Sequence, residues 1–127
     1  MKILHEQEPW PSKVNFVDEN EVHLGFDTQD DCCANGGWFL SDKKDEWLEE
    51  TFKEESMDLP GWTFDPSYFA NPEFKREYDD GGTAQFRIVK GAEEKFITLY
   101  NHHNGYYSKG FEFKVPSDAS RNKEDSI

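Results

Sequence analysis

Residues 83–115 give the clearest structural signal in the chain and read TAQFRIVKGAEEKFITLYNHHNGYYSKGFEFKV. Apolar and polar side chains alternate in residues 83–89 and 111–115, which is the period of a half-buried β-strand. The apolar run 96–100 predicts a strand between them. Asn104-Gly105 is a strong hairpin signal, because both residues tolerate positive φ. The stretch therefore predicts a three-stranded antiparallel meander.

The N-terminal part of the chain predicts a β-hairpin and two short strands. Residues 13–17 and 21–26 have strand character, and the turn-forming residues 18–20 lie between them. The apolar residues 38–40 and 62–64 predict short strands by composition.

One principal α-helix is predicted at about residues 42–56. Ser41 or Asp42 can accept an orphan backbone N–H group as the N-cap. The side chains of Trp47, Leu48 and Phe52 fall in one sector of a helical wheel and predict a core-facing side. The predicted fold class is therefore α+β, mainly antiparallel β-sheet with the hairpin, the C-terminal three-stranded meander and this helix.

Length and composition indicate one small domain. The 127 residues are enough for a single packed core. We expect residues 1–115 to form one globular domain and the polar residues 116–127 to be a mobile tail with nothing to bury. The first residues show no signal-peptide core, and no apolar run approaches the roughly 18 residues that span a bilayer. We therefore expect a cytoplasmic location.

The charge of the chain is strongly negative and unevenly distributed. The formal net charge is −13. Residues 1–82 carry 21 acidic and 7 basic side chains, whereas residues 83–115 carry 3 and 5. An acid excess argues against direct nucleic-acid binding, which uses basic surfaces. The aromatic share of 16% argues against a disordered acidic chain.

Acidic residues recur every four positions along the predicted helix, at Asp42, Glu46, Glu50 and Glu54. Like charges at this spacing repel by about 0.2–0.5 kcal/mol per pair, which suggests that a cationic partner supplies the counter-charge. The alternative is a solvated face that keeps the protein soluble. The predicted partner-binding residues are Asp42, Glu46, Glu49, Glu50, Glu54, Asp30, Asp31, Asp79 and Asp80.

Cysteine and histidine residues form a second candidate site. The adjacent Cys32 and Cys33 close no loop as a disulfide and suit a reducing compartment as free thiols. With His103, they have the chemistry of a zinc site or of a nucleophile and its base. The chain contains no C-x-x-C or H-x-x-x-H spacing. The structural alternative is a packed thiol, with His103 bonded to a loop carbonyl.

Four short motifs bracket most of the chain: Asp30-Asp31-Cys32-Cys33, Gly37-Trp38-Phe39, Leu59-Pro60-Gly61, and His103-Asn104-Gly105-Tyr106-Tyr107 followed by Gly110-Phe111-Glu112. In these motifs the sequence resembles a family of small uncharacterised bacterial and phage proteins. The resemblance implies that Asp31, Cys32, Cys33 and His103 share a structural or binding locus. Similar sequences have cysteine at His102 and histidine at Lys109, which implies an incomplete metal site in this chain.

The function expected from these features is binding rather than catalysis. A compact acidic domain without catalytic motifs is typical of immunity proteins and inhibitors that neutralise a cationic, nuclease-like toxin by covering its basic cleft. We predict no catalytic residue and no cofactor. Two alternatives remain: a metal-binding or thiol-dependent enzyme that uses Cys32 or Cys33 with His103, and an accessory domain whose acidic residues only confer solubility.

Overall fold

The computed structural model describes residues 1–6, 12–29, 34–44, 57–70, 74–103 and 108–127. Within these ranges the chain forms eleven β-strands and short 3₁₀ segments. The strands are β1 (Lys2–Glu6), β2 (Lys13–Val17), β3 (His23–Asp27), β4 (Ala34–Ser41), β5 (Met57–Asp58), β6 (Thr63–Phe64), β7 (Lys75–Tyr78), β8 (Gly81–Lys90), β9 (Glu93–His103), β10 (Gly110–Lys114) and β11 (Lys123–Ser126).

The strands form two antiparallel sheets. The first sheet has the strand order β11-β10-β3-β2-β1-β5, and the second has the order β4-β9-β8-β6, with β7 also paired to β8. The hairpin predicted from residues 13–26 is confirmed, because β2 and β3 pair along their whole length from Lys13 opposite Asp27 to Val17 opposite His23.

One hydrophobic core joins the two sheets. Alternate residues of β2 and of β10 are buried, as a period of two requires. Aromatic rings make the contacts between the sheets: Phe16 meets Trp38 edge to face at a centroid distance of 5.0 Å, and Phe86 stacks on Phe113 at 5.8 Å. Each sheet buries one face against the other, so the fold is a β-sandwich.

The predicted C-terminal meander is wrong in its third strand. Strands β8 and β9 pair from Gly81 opposite His102 to Lys90 opposite Glu93, but β10 belongs to the first sheet and pairs with β3, with Phe111 opposite Phe26. The alternation of β10 indicates which side chains are buried and says nothing about the neighbouring strand. The other edge of β9 is occupied by β4. The Asn104-Gly105 hairpin lies outside the described residues.

The predicted α+β class is also wrong, since the described residues contain no α-helix. Ser41 is the last residue of β4, pairs with Phe96, and donates its hydroxyl hydrogen bond to Lys43 O, so it does not cap a helix. The Asp42 carboxylate pairs with Lys95. Most of the predicted helix, residues 45–56, lies outside the described residues. Strand β4 extends to Ser41, one of the two predicted N-cap residues, and the described residues form an all-β fold.

The C-terminal residues belong to the fold, so the predicted boundary at residue 115 and the tail with nothing to bury are wrong. Strand β11 pairs with β10. Ile127 is 4% exposed, and its backbone N–H and C=O pair with those of Lys109. The Asn101 side-chain amide donates to Ile127 O at 2.9 Å. Backbone pairing needs no apolar pattern, so the polar composition of this segment does not predict its strand.

A buried carboxylate ties the β2–β3 turn to the second sheet. Asp18 is 6% exposed, and its Oδ1 accepts hydrogen bonds from the backbone N–H groups of Asn20 at 2.9 Å and Val22 at 3.0 Å. Its Oδ2 accepts from Phe64 N at 2.9 Å. Burial of a charge is tolerated when hydrogen bonds replace its hydration, and three N–H groups do so here.

Candidate functional site on the outer face of the first sheet

The first sheet carries its polar side chains on the face that points away from the core, called the outer face below. Strand register arranges these side chains in rows. In one row Glu6 lies opposite Lys13, and Lys13 lies opposite Asp27. In the next row Asn15 and Glu112 flank Gly25, and Glu112 lies opposite Glu124. Acidic residues from four strands therefore share one part of the outer face.

An open groove of about 380 Å³ runs across this part of the sheet. Gly25 and Gly110 form its floor, because glycine has no side chain that projects from the strand. The remaining lining residues are Glu6, Ser12, Lys13, Asp27, Gln29, Phe111, Glu112, Glu124 and Asp125. Five of these side chains are carboxylates and one is an ammonium, so the groove is negatively charged.

Lys13 crosses the floor of the groove to reach Glu112. Its Nζ lies 3.1 Å from Glu112 Oε1, and the two residues stand on either side of Gly25. A Cβ atom on Gly25 would lie 2.8 Å from Lys13 Cε and 3.3 Å from Glu112 Cγ. Glycine therefore makes room for this cross-strand ion pair. The hydrogen bond from Lys13 lowers the pKa of the Glu112 carboxyl, against the smaller opposing effect of burial.

Three carboxylates of the groove form no ion pair with any described residue, namely Glu6, Asp27 and Glu124. Asp27 uses Oδ1 to accept a hydrogen bond from Gln29 N at 2.9 Å. Asp125 is neutralised by Lys75 at 3.0 Å. The backbone N–H of Ser126, followed by Lys75, lowers the pKa of Asp125. The groove thus keeps an excess of negative charge after its internal pairs are formed.

The opposite end of the outer face carries two lysines and a histidine. His23 lies between Val17 and Lys114 in the register, and Lys2 lies opposite Val17. The ring of His23 bonds to Asn15 Oδ1 at 2.8 Å. Burial lowers the pKa of His23, Lys13 and Lys114 lower it further, and Glu112 opposes them. Lys2 also lies opposite Asp58, and Lys114 Nζ lies 3.6 Å from Glu112 Oε2, so this end of the outer face carries charges of both signs.

The structure places three of the predicted partner-binding residues, all outside this groove. Asp42 is exposed and pairs with Lys95. Asp79 and Asp80 are exposed in the turn between β7 and β8, where Asp80 O accepts a hydrogen bond from His103 N at 3.0 Å. The other six lie outside the described residues: Asp30, Asp31, Glu46, Glu49, Glu50 and Glu54.

The histidine pair lies at the end of β9. His103 pairs in register with Ala34, the residue that follows Cys33 in the sequence, and His102 pairs with Asn35. His102 is exposed and His103 is half-buried. Cys32 and Cys33 lie outside the described residues. Within the described ranges, no group of three or more His, Cys, Asp or Glu side chains is arranged to hold a metal ion.

The sequence did not predict a role for Lys109 or Gly36, which contact each other close to the histidine pair's partner strand β4. Lys109 is 1% exposed, and its Nζ donates to Gln29 O, one residue before Asp30. A Cβ atom on Gly36 would lie 2.6 Å from Lys109 Cδ, so glycine at that position leaves room for the lysine stem. Lys109 therefore holds Gln29, and Ala34 is held by its pairing with His103 of β9.

Sequence reasoning missed the five acidic residues of the groove, which are Glu6, Asp27, Glu112, Glu124 and Asp125. The alternation of Glu112 and Lys114 with apolar residues does indicate an outward-facing side. The proximity of these carboxylates depends on the order β11-β10-β3-β2-β1, which alternation does not specify.

Comparison with protein-family models, with curated proteins and with solved structures finds no match to this chain. The resemblance to the bacterial and phage family stays a prediction. Among the described residues, no helix has the length and apolar character needed to cross a membrane.

Proposed function

We propose that this protein is an acidic binding protein that docks a cationic protein surface on the outer face of its first sheet. The observation that carries the proposal is that three carboxylates of one groove, those of Glu6, Asp27 and Glu124, form no ion pair with any described residue. Lysine and arginine side chains of a partner are the natural counter-charges for such a surface.

The sheet suits this role because its strands hold the carboxylates in fixed positions. Backbone ladders from β1 to β11 set the spacing before a partner arrives, so little ordering entropy is lost on binding. The excess negative charge of the whole chain, −13, adds long-range steering of a cationic partner and repels nucleic acid.

The specific class proposed is a cytoplasmic immunity protein or inhibitor that covers the basic active-site cleft of a cationic, nuclease-like toxin domain. Such a cleft is built to hold phosphates, so it presents the lysine and arginine side chains that an acidic groove attracts. The acid excess of the sequence and the outer-face groove both support this class.

Charge reversal tests the proposal. We expect Asp27→Lys with Glu124→Lys to weaken the binding of a fluorescein-labelled octa-arginine peptide by about tenfold, measured by fluorescence anisotropy. The matched control is Glu19→Lys with Glu93→Lys, which changes the net charge equally at exposed positions outside the groove. Binding should also weaken as salt rises from about 50 to about 500 mM.

Two results would contradict the proposal. Equal weakening by the groove variant and the control would mean that only the bulk charge attracts the peptide. Weakening by Glu46→Lys with Glu50→Lys, and none by the groove variant, would place the binding surface on the acidic residues predicted from the sequence instead of on the outer face.

A second function, a metal-binding or thiol-dependent site, is proposed on one observation. Ala34, the residue that follows Cys33 in the sequence, lies opposite His103 in the β4–β9 pair. Elemental analysis of protein purified without added metal tests it. We expect near-stoichiometric zinc or iron that is lost in Cys32→Ser with Cys33→Ser. Substoichiometric metal with full folding in chelator would exclude it.

A further inference from the structure

Lys13 occupies the centre of the acidic groove. Its ammonium is held by Glu112 at 3.1 Å above the glycine floor, and among the described residues that line the groove it is the one cation. Register places Glu6 and Asp27 directly opposite Lys13 on the two neighbouring strands. A basic side chain of a partner that enters the groove meets carboxylates that already have a cation among them.

We infer that Lys13 is a resident competitor, which a lysine or arginine side chain of the partner displaces from Glu112 when it binds. The inference rests on the proposed function and adds the chemistry of the contact. The site takes a single basic side chain in the space above Gly25, where the Lys13 stem now lies within 2.8 Å of a Cβ position.

Three structural features keep the free energy of displacing Lys13 from Glu112 small. The ion pair is partly exposed, with side-chain exposures of 34% for Lys13 and 28% for Glu112, so water screens it. Lysine holds its ammonium on a flexible four-carbon stem. Cross-strand neighbours lie about 5 Å apart at Cβ, so the released ammonium can turn to Glu6 or Asp27.

Replacement of Lys13 by an uncharged residue of similar length therefore strengthens binding. Lys13→Met should tighten the octa-arginine complex about fivefold, because both the competition and one positive charge are removed from the groove. Lys90→Met is the matched control: Lys90 is exposed on the second sheet, and its removal changes the net charge equally. We expect the control to change the dissociation constant by less than about twofold.

A second measurement uses the unmodified protein. On titration with octa-arginine, the ¹³Cε resonance of Lys13 should shift strongly, and that of Lys90 should shift little. Circular dichroism of Lys13→Met should match that of the unmodified protein, since the substitution lies on the outward side of β2.

The outcomes separate this inference from the proposed function. If Lys13→Met binds no more tightly than Lys90→Met while Asp27→Lys with Glu124→Lys still weakens binding, the groove binds cations but Lys13 is not a competitor. If neither the groove reversal nor Lys13→Met differs from its control, the proposed function itself is wrong.

Discussion

Removal of the Asp18 carboxylate should be among the most destabilising single changes in this protein. The side chain is buried and accepts three backbone hydrogen bonds, from Asn20, Val22 and Phe64. Asp18→Ala leaves these N–H groups without their acceptor, and bonds to a charged group contribute about 1.5–3 kcal/mol each. Such contributions are not additive, so we expect a loss of about 3–5 kcal/mol.

Urea denaturation followed by tryptophan fluorescence measures this loss. With an m-value of about 2 kcal/mol/M, the midpoint should fall by about 2 M urea. Asp18→Asn keeps one acceptor oxygen and should lose less, about 2 kcal/mol. The control is Glu19→Ala, an exposed neighbour in the same turn, which should change stability by less than about 0.5 kcal/mol. A loss below about 1 kcal/mol for Asp18→Ala would refute the assignment of Asp18 as the tie between the turn and β6.

Three further predictions concern the sheets. Gly81→Ala should prevent correct folding or lower the free energy of unfolding by more than about 3 kcal/mol, because the glycine has φ +137° and an added Cβ would lie 1.9 Å from Asn101 O. Thermal unfolding measures this loss, and the control is Gly91→Ala, since no atom lies within 4 Å of a Cβ added at Gly91. Ile127→Ala should cost about 2–4 kcal/mol by urea denaturation, since its buried side chain packs against Gly82, and no loss would contradict the inclusion of the C-terminal residues in the core. The Lys13 hydrogen bond lowers the pKa of Glu112 below its usual 4.5, so the stabilising contribution of the ionised Glu112 is present above about pH 4.5 and is lost as pH falls through the lowered pKa. Lys13→Met should reduce this loss of stability in acid. Equal profiles of stability against pH for the two proteins would argue against the ion pair.

Local patterns predicted the strands better than their arrangement. The alternation in residues 13–26 correctly indicates the β2–β3 hairpin, because a short connection leaves few other partners for the two strands. The same kind of pattern in β10 gave the wrong sheet, since the side chains of Phe111 and Phe113 bury equally well beside β3 or beside β9. Alternation specifies a buried face, and long-range pairing specifies the neighbour.

The periodicity of the sequence could not predict two other features, strand β11 and the acidic groove. Strand β11 is formed by the sequence Lys-Glu-Asp-Ser, which pairs through its backbone and has no apolar face of its own. The acidic groove combines residues separated by more than 100 positions, such as Glu6 and Glu124, which only the strand order brings together. The acid excess itself was visible in the sequence, and it led to the expectation of a cationic partner but not to this surface.

Chemical-shift mapping of octa-arginine binding tests the central claim most directly. Backbone ¹H–¹⁵N spectra recorded during the titration report which part of the chain meets the cation. We predict that the largest shifts lie on the outer face, at Glu6, Lys13, Asp27 and Glu124, and that the exposed acidic residues Asp79 and Asp80 shift little. Shifts spread evenly over all acidic residues, or concentrated away from the groove, would contradict the account.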